Sequence, residues 1–133
     1  MCKVGDIILV KSYKGVDSKD VGHHSFVVLD DEKGFIEGLP YDIICGVLSS
    51  FHSEDHKKKK LLEDGNVLIK NGDTVTNPDN GKDGFLKADQ LYYFNKSKLD
   101  YEVIGYIRED LLERIISYIE SLGFKVQIVI DNL

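Results

Sequence analysis

A small, mainly antiparallel β-barrel carrying one C-terminal amphipathic α-helix is the fold that this sequence predicts. Three observations lead there. Short runs rich in β-branched and aromatic residues follow one another as far as residue 107, separated by clusters of Gly, Asn, Asp and Pro. One of them, residues 43–49, is apolar almost without alternation, as a strand covered on both faces should be. Beyond residue 110 the apolar spacing changes from the strand period to that of a helix. Many short strands followed by one helix that packs on them fit a barrel closed by that helix.

The elements follow in order. Asp6 to Lys11 (DIILVK) and Ser25 to Asp30 (SFVVLD) are β-branched runs and read as strands, with GFIEG after Asp31-Glu32-Lys33 as a hairpin return. Ile43 to Ser49 is the central strand. The polar stretch from Ser50 through Lys57–Lys60 to Gly65 reads as a solvated loop. Asn66 to Lys70 (NVLIK) is the next strand, and NGDTVTNPDNGKDG is dense in turn formers, so a long turn or hairpin tip is expected. Phe85 to Ala88 and Leu91 to Phe94 read as strands separated by Asp89-Gln90, and Tyr101 to Ile107 as the last strand of the barrel. Leu111, Leu112, Ile115, Ile116, Ile119 and Leu122 then recur at i, i+3/i+4 spacing. Glu109 and Asp110 sit where the helix dipole favours acids, and Gly123 is a fitting stop. Phe124 to Ile130 reads as an extra edge strand.

The chain has 133 residues, enough for one domain spanning 1–133 and for a real core. Its 42% apolar and 30% charged content exclude disordered, collagen-like and coiled-coil readings. No apolar run reaches the roughly 18 residues of a membrane span, and Lys3 and Asp6 flank the first apolar stretch, so a cytoplasmic protein without a membrane partner is expected. Acids outnumber bases 23 to 17, giving a net charge of −6, which disfavours a broad duplex-binding face but leaves room for a local nucleic-acid site. Only Arg108 and Arg114 are arginines, and all four histidines fall between residues 23 and 56. Cys45 lies among aliphatics and reads as a small buried hydrophobe, while Cys2 is expected at a frayed N-terminus. Two thiols with no Cys-x-x-Cys give no basis for a zinc site or a disulfide framework.

Three segments carry a resemblance. KVGDIILV at 3–10 and GHHSFVVL at 22–29 resemble the first two strands of the MazF/PemK toxin family. GVLSS at 46–50 falls where that family's apolar strand ends in a catalytic Thr or Ser, with Ser49 the positional match. GFLKADQLYYF at 84–94, followed after one strand by REDLLERIISYIESL, is similar to the family's Ala-Asp-Gln segment and closing helix. The resemblance implies an SH3-like barrel, a homodimer with an RNA groove across it, metal-independent and cofactor-free cleavage of single-stranded RNA, and inhibition by an antitoxin protein. The family's Gly-x-Arg-Pro stands here as Gly22-His23-His24-Ser25, so His24 occupies the position of the arginine.

Metal-free RNA cleavage needs proton acceptors and donors around the reacting phosphate, and histidine, with an ordinary pKa near 6.5, can serve as acid, base or cation. His24 with Ser49 is therefore the expected catalytic pair, and His52, His56 and His23 are the candidates for a second proton-transfer group. His23 and His24, as neighbours on a strand, should point to opposite faces. Lys57, Lys58, Lys59 and Lys60 are the candidates for holding the RNA backbone. The plain readings are that His52 and His56 are surface residues, that Ser49 satisfies a strand end, and that Tyr92, Tyr93 and Phe94 belong to the core or a dimer interface. Two alternatives differ in class. Loss of the arginine would leave a catalytically silent RNA- or antitoxin-binding module. GDIILV followed by GHHSFVVL also resembles the strand pair of NlpC-like and papain-like cysteine peptidases, which would need Cys45 as nucleophile with His23 or His24.

Overall fold

In the computed structural model, residues 2–76 and 83–133 are described. Along the chain run β1 (Asp6–Val10), β2 (Tyr13–Lys14), β3 (Asp20–Val21), β4 (His24–Asp30), β5 (Gly34–Ile36), β6 (Leu39–Tyr41) and β7 (Ile43–Ser50). Then come α1 (Glu54–Leu62), β8 (Asn66–Ile69), β9 (Thr74–Thr76), β10 (Gly84–Lys87), β11 (Gln90–Phe94), β12 (Tyr101–Ile107), α2 (Glu109–Leu122) and β13 (Gln127–Val129). Nine of these strands make one curled half-barrel sheet in the order β13-β11-β7-β4-β1-β12-β9, with β10 inserted between β7 and β8. The protein is thus mainly β with a C-terminal helix.

The strand alternation sorts the core onto the two faces of this sheet. Ile8, Val10, Phe26, Val28, Ile43, Cys45, Val47, Tyr92 and Phe94 pack on one face. Ile7, Val27, Leu29 and Leu86 pack on the other, together with the fully buried Leu111 and Ile115 of α2. Fully burying a side chain of this size contributes roughly 1.5–3 kcal/mol relative to leaving it exposed. β7 contributes to both clusters, as its unbroken apolar run requires. α2 ends at Gly123, whose φ of 57° with ψ of −125° is a backbone conformation that glycine adopts without the Cβ clash of other residues.

Several elements depart from the sequence reading. Residues 54–62 are helical rather than a loop. Ser53 caps α1 by accepting from the His56 amide at 3.1 Å, Glu54 and Asp55 occupy its first turn, and Lys59 and Lys60 its last, so these charges complement the dipole. GFIEG does not return onto β4, because Gly34–Ile36 pairs with Leu39–Tyr41 as a separate hairpin. β13 pairs with β11 in parallel, the one parallel contact among the described pairings. Cys2 is buried in the core cluster that holds Val10 and Cys45 rather than frayed. Residues 77–82 of the expected long turn lie outside the described residues, and its earlier part forms β9 against β12.

At Gly84 the backbones of β10 and β7 approach so closely that a Cβ would strike the Ser49 carbonyl oxygen. Gly84→Ala is expected to destabilise the fold by about 1–3 kcal/mol in urea unfolding. Gly72→Ala, which meets open space, should stay within about 0.5 kcal/mol of the wild type.

Candidate functional site

Where β4 begins and β7 ends, a groove of about 520 Å³ opens in the sheet. Ile7, Leu9, Leu48, Ile69, Phe85 and Ile104 make it apolar, and His23, His24, Ser25, Ser49, Ser50, Thr74, Asp83 and Glu102 supply polar groups. Strand register explains this grouping. Val10 pairs with His24, Ser25 pairs with Leu48, and Ser49 pairs with Phe85. Carrying the β4–β7 register one residue further sets His24 opposite Ser49, so Val10, His24, Ser49 and Phe85 form a cross-strand row whose side chains share one face. His23 is exposed and lies on the other face with Ser25, Leu9, Ile7 and Leu48, the face that carries the groove's apolar lining, so the His24–Ser49 row borders the groove from the opposite face of the sheet.

The environment of His24 restricts what it can do. Its ring is half-buried with Tyr13 and Phe26, each in an edge arrangement at 6.4 Å. Nδ1 accepts the Ser25 amide at 3.1 Å, so the neutral ring carries its proton on Nε2. Burial first, and the Lys87 ammonium second, push the imidazole below its ordinary value of 6.5. His24 is therefore a neutral hydrogen-bond donor near pH 7 rather than a substitute for the arginine charge. Around it, burial and Tyr92 push the Tyr13 hydroxyl up to about 12, and burial followed by Asp17 raises Tyr92. These phenols remain protonated donors across the physiological range.

The other candidate residues sit apart from the groove lining. The His52 amide donates to His56 Nδ1 at 3.0 Å, the two rings lie 4.6 Å apart, and His56 packs edge-on against Phe51 and Phe85. Partial desolvation, and then His52 and Lys60, lower the His56 pKa. This pair secures the start of α1. The four lysines spread around the helix instead of forming one basic stripe. Lys57 reaches Asp83 at 3.7 Å and lies 5.8 Å over the Phe51 ring, and Lys60 reaches Glu63 at 3.4 Å. Lys58 and Lys59 remain exposed on α1.

The arginines are engaged on the connection from β8 to β9, which leads into Thr74 of the groove. Arg108 Nε donates to the Gly72 carbonyl at 2.8 Å and Arg114 lies 3.6 Å from Asp73. Cys45 is completely buried, and burial first, then Cys2 and Asp42, push its thiol well above the ordinary range. Four residues separate it from Ser49 along β7, about 13 Å of strand, so it is neither ionised nor within reach of His24. The cysteine-peptidase reading has no nucleophile here.

Three groups at or beside the site were not singled out by sequence. Asp83 and Glu102 line the groove, and Lys87 stands on the His24 face of the sheet. Alternation from Phe85 does place Lys87 on that face, but only the β10–β7 register brings it toward His24. Among the described residues no cluster of His, Cys, Asp or Glu suited to a metal ion occurs, and no helix is long and apolar enough to cross a membrane. No protein-family model matches the chain, and no curated protein matches it.

The lowered His24 pKa has a definite consequence for stability. The folded chain binds that proton more weakly than the unfolded chain, so the associated stability is complete above about pH 6.5 and is lost as the pH falls through the folded value. An NMR titration should place His24 below 6.5, and Lys87→Met should move it upward. A second measurement concerns Cys45, whose thiol should resist alkylation in the native protein and react only on unfolding.

Proposed function

We propose that this protein is a toxin ribonuclease of the MazF/PemK type, built on an SH3-like barrel, that cuts single-stranded RNA without a metal ion. One observation carries the reading. The segments of the resemblance form contiguous strands, β1 beside β4, β4 beside β7, and β7 beside β10 and β11, and this order makes His24 and Ser49 cross-strand neighbours beside the groove. These are the two residues that the sequence resemblance matches to the family's catalytic positions.

In such a reaction the ribose 2′-oxygen attacks phosphorus and the bond to the 5′-oxygen breaks, leaving a 2′,3′-cyclic phosphate and a 5′-hydroxyl. The 2′-OH proton passes to a base and the departing oxygen gains one from an acid. The tautomer found here makes His24 Nε2–H a donor to the phosphate oxygens, with the Ser49 hydroxyl beside it. Glu102 pairs with Leu9 and so lies on the opposite face of the sheet from His24, where it meets Lys11, and is not the base at this pair. The apolar floor suits unstacked bases, the form in which RNA sequence is read. A homodimer would extend the groove across two copies, and the C-terminal segment of an antitoxin is the protein partner of this reading.

A binding module without activity is favoured by one feature, the two carboxylates Asp83 and Glu102 in a groove meant for a polyanion. Lys57 and Lys11 lie against them at 3.7 and 3.4 Å and offset part of that repulsion. The protein, freed of any antitoxin, is expected to cut single-stranded RNA in EDTA and leave cyclic phosphate ends. His24→Ala and Ser49→Ala should each lower the rate by about 100-fold or more. Full cleavage by the His24 variant would sink the assignment, whereas RNA binding with no cleavage by the wild type would establish the silent module.

A further inference from the structure

Arg108 and Arg114 are engaged by Gly72 and Asp73 on the connection from β8 to β9, on the other face of the sheet from the His24–Ser49 pair, and His24 is biased toward its neutral form, so neither supplies a cation to that pair. We infer that Lys87 supplies the positive charge that binds the phosphate at that pair; this rests on the RNA reading above.

Strand geometry places it there. Phe26 pairs with Val47 on one side of β7, and Leu86 pairs with Leu48 on the other, so the next residue, Lys87, falls opposite Val47. Ile8, Phe26, Val47 and Lys87 therefore make a second cross-strand row next to Val10, His24, Ser49 and Phe85, with side chains on the same face. Lys87 and His24 are two strands apart and two residues offset, about 12 Å between Cα atoms, a diagonal that an extended lysine and an imidazole close from both ends. Lys87 also acts on the imidazole, lowering its pKa after burial does.

Lys87 is also free to take an anion. It is half-buried, and none of the ion pairs among the described residues involves it, whereas Lys11, Lys14, Lys57 and Lys60 each face a carboxylate. On its own face stand the Tyr13 hydroxyl and the His24 Nε2–H, with the Tyr92 hydroxyl donating to Gln90 Oε1 at 3.4 Å. Asp17 is the nearby acid, acting on Tyr92. A half-buried ammonium among neutral donors is an environment that a phosphate diester completes.

The test uses two readouts on the full chain. In cleavage of single-stranded RNA, Lys87→Met should lower kcat/KM by about 100-fold, Lys87→Arg should recover it to within about 10-fold of wild type, and Lys125→Met should change nothing. A wild-type rate in Lys87→Met would overturn the inference and leave the ribonuclease reading standing. Absence of cleavage by the wild type would remove the ribonuclease reading, and binding of a 2′-deoxy-substituted oligonucleotide then decides. Lys87→Met should reduce the slope of log affinity against log salt by about one, with unchanged unfolding by urea. An unchanged slope, or no binding by the wild type, would overturn the phosphate contact on its own.

Discussion

The burial of β7 on both faces is the constraint on which the rest of the molecule depends. Ile43, Cys45 and Val47 face one core cluster while Leu48 packs toward the other, and the strand is hydrogen-bonded to β4 along one edge and to β10 and β11 along the other. Gly46 belongs to this arrangement, because a Cβ there would crowd the methyls of Leu86 and Leu29 that close over it at 3.2 and 3.3 Å. The pairing edges of β7 decide which chemistry-bearing residues meet. His24 arrives from one side, Phe85 and Lys87 from the other, and Ser49 stands between them.

Local signals account for most of the scaffold. β7 was legible because an apolar run without alternation, too short for a buried helix, fits a strand covered on both faces. α2 was legible because six apolar residues keep one helical face while Gly123 ends it. α1 was not legible, since none of its residues is buried and it has no apolar face to detect. Capping by Ser53 and the placement of its charges along the dipole do what packing does for α2. The parallel pairing of β13 was equally hidden, because nothing in a three-residue strand specifies the direction of its neighbour. Cys2 was misplaced for a related reason: terminal position predicts fraying only where no core is within reach.

The site divides along the same line. His24 and Ser49 were readable as positions within strands, and strand alternation separated His24 from His23. The partners that determine their chemistry were not. The protonation of His24 depends on its burial, then on a lysine 63 positions later in the chain, and on an amide one residue away. Asp83 and Glu102 reach the groove through the pairing of β10 with β7 and the return of β12 to β1, pairings that no local pattern encodes. With two arginines in the chain, both engaged by Gly72 and Asp73, the positive charge near these residues comes from lysines, Lys11 and Lys57 beside the groove carboxylates and Lys87 on the His24 face.

The closing of β12 onto β1 also bears on when the groove can form. Ile7 pairs with Gly105, about a hundred residues away, and the groove takes Leu9 from the first strand and Glu102 and Ile104 from β12. During synthesis the first strand must wait for nearly the whole chain before its second edge is satisfied. Pairings this distant place folding toward the slow, millisecond-to-second end of the range for small domains. A nascent or truncated chain that stops before residue 101 can hold His24 and Ser49 but cannot complete the groove around them. Formation of the groove is thereby tied to completion of the chain, and synthesis leaves an interval in which the first strands exist without it.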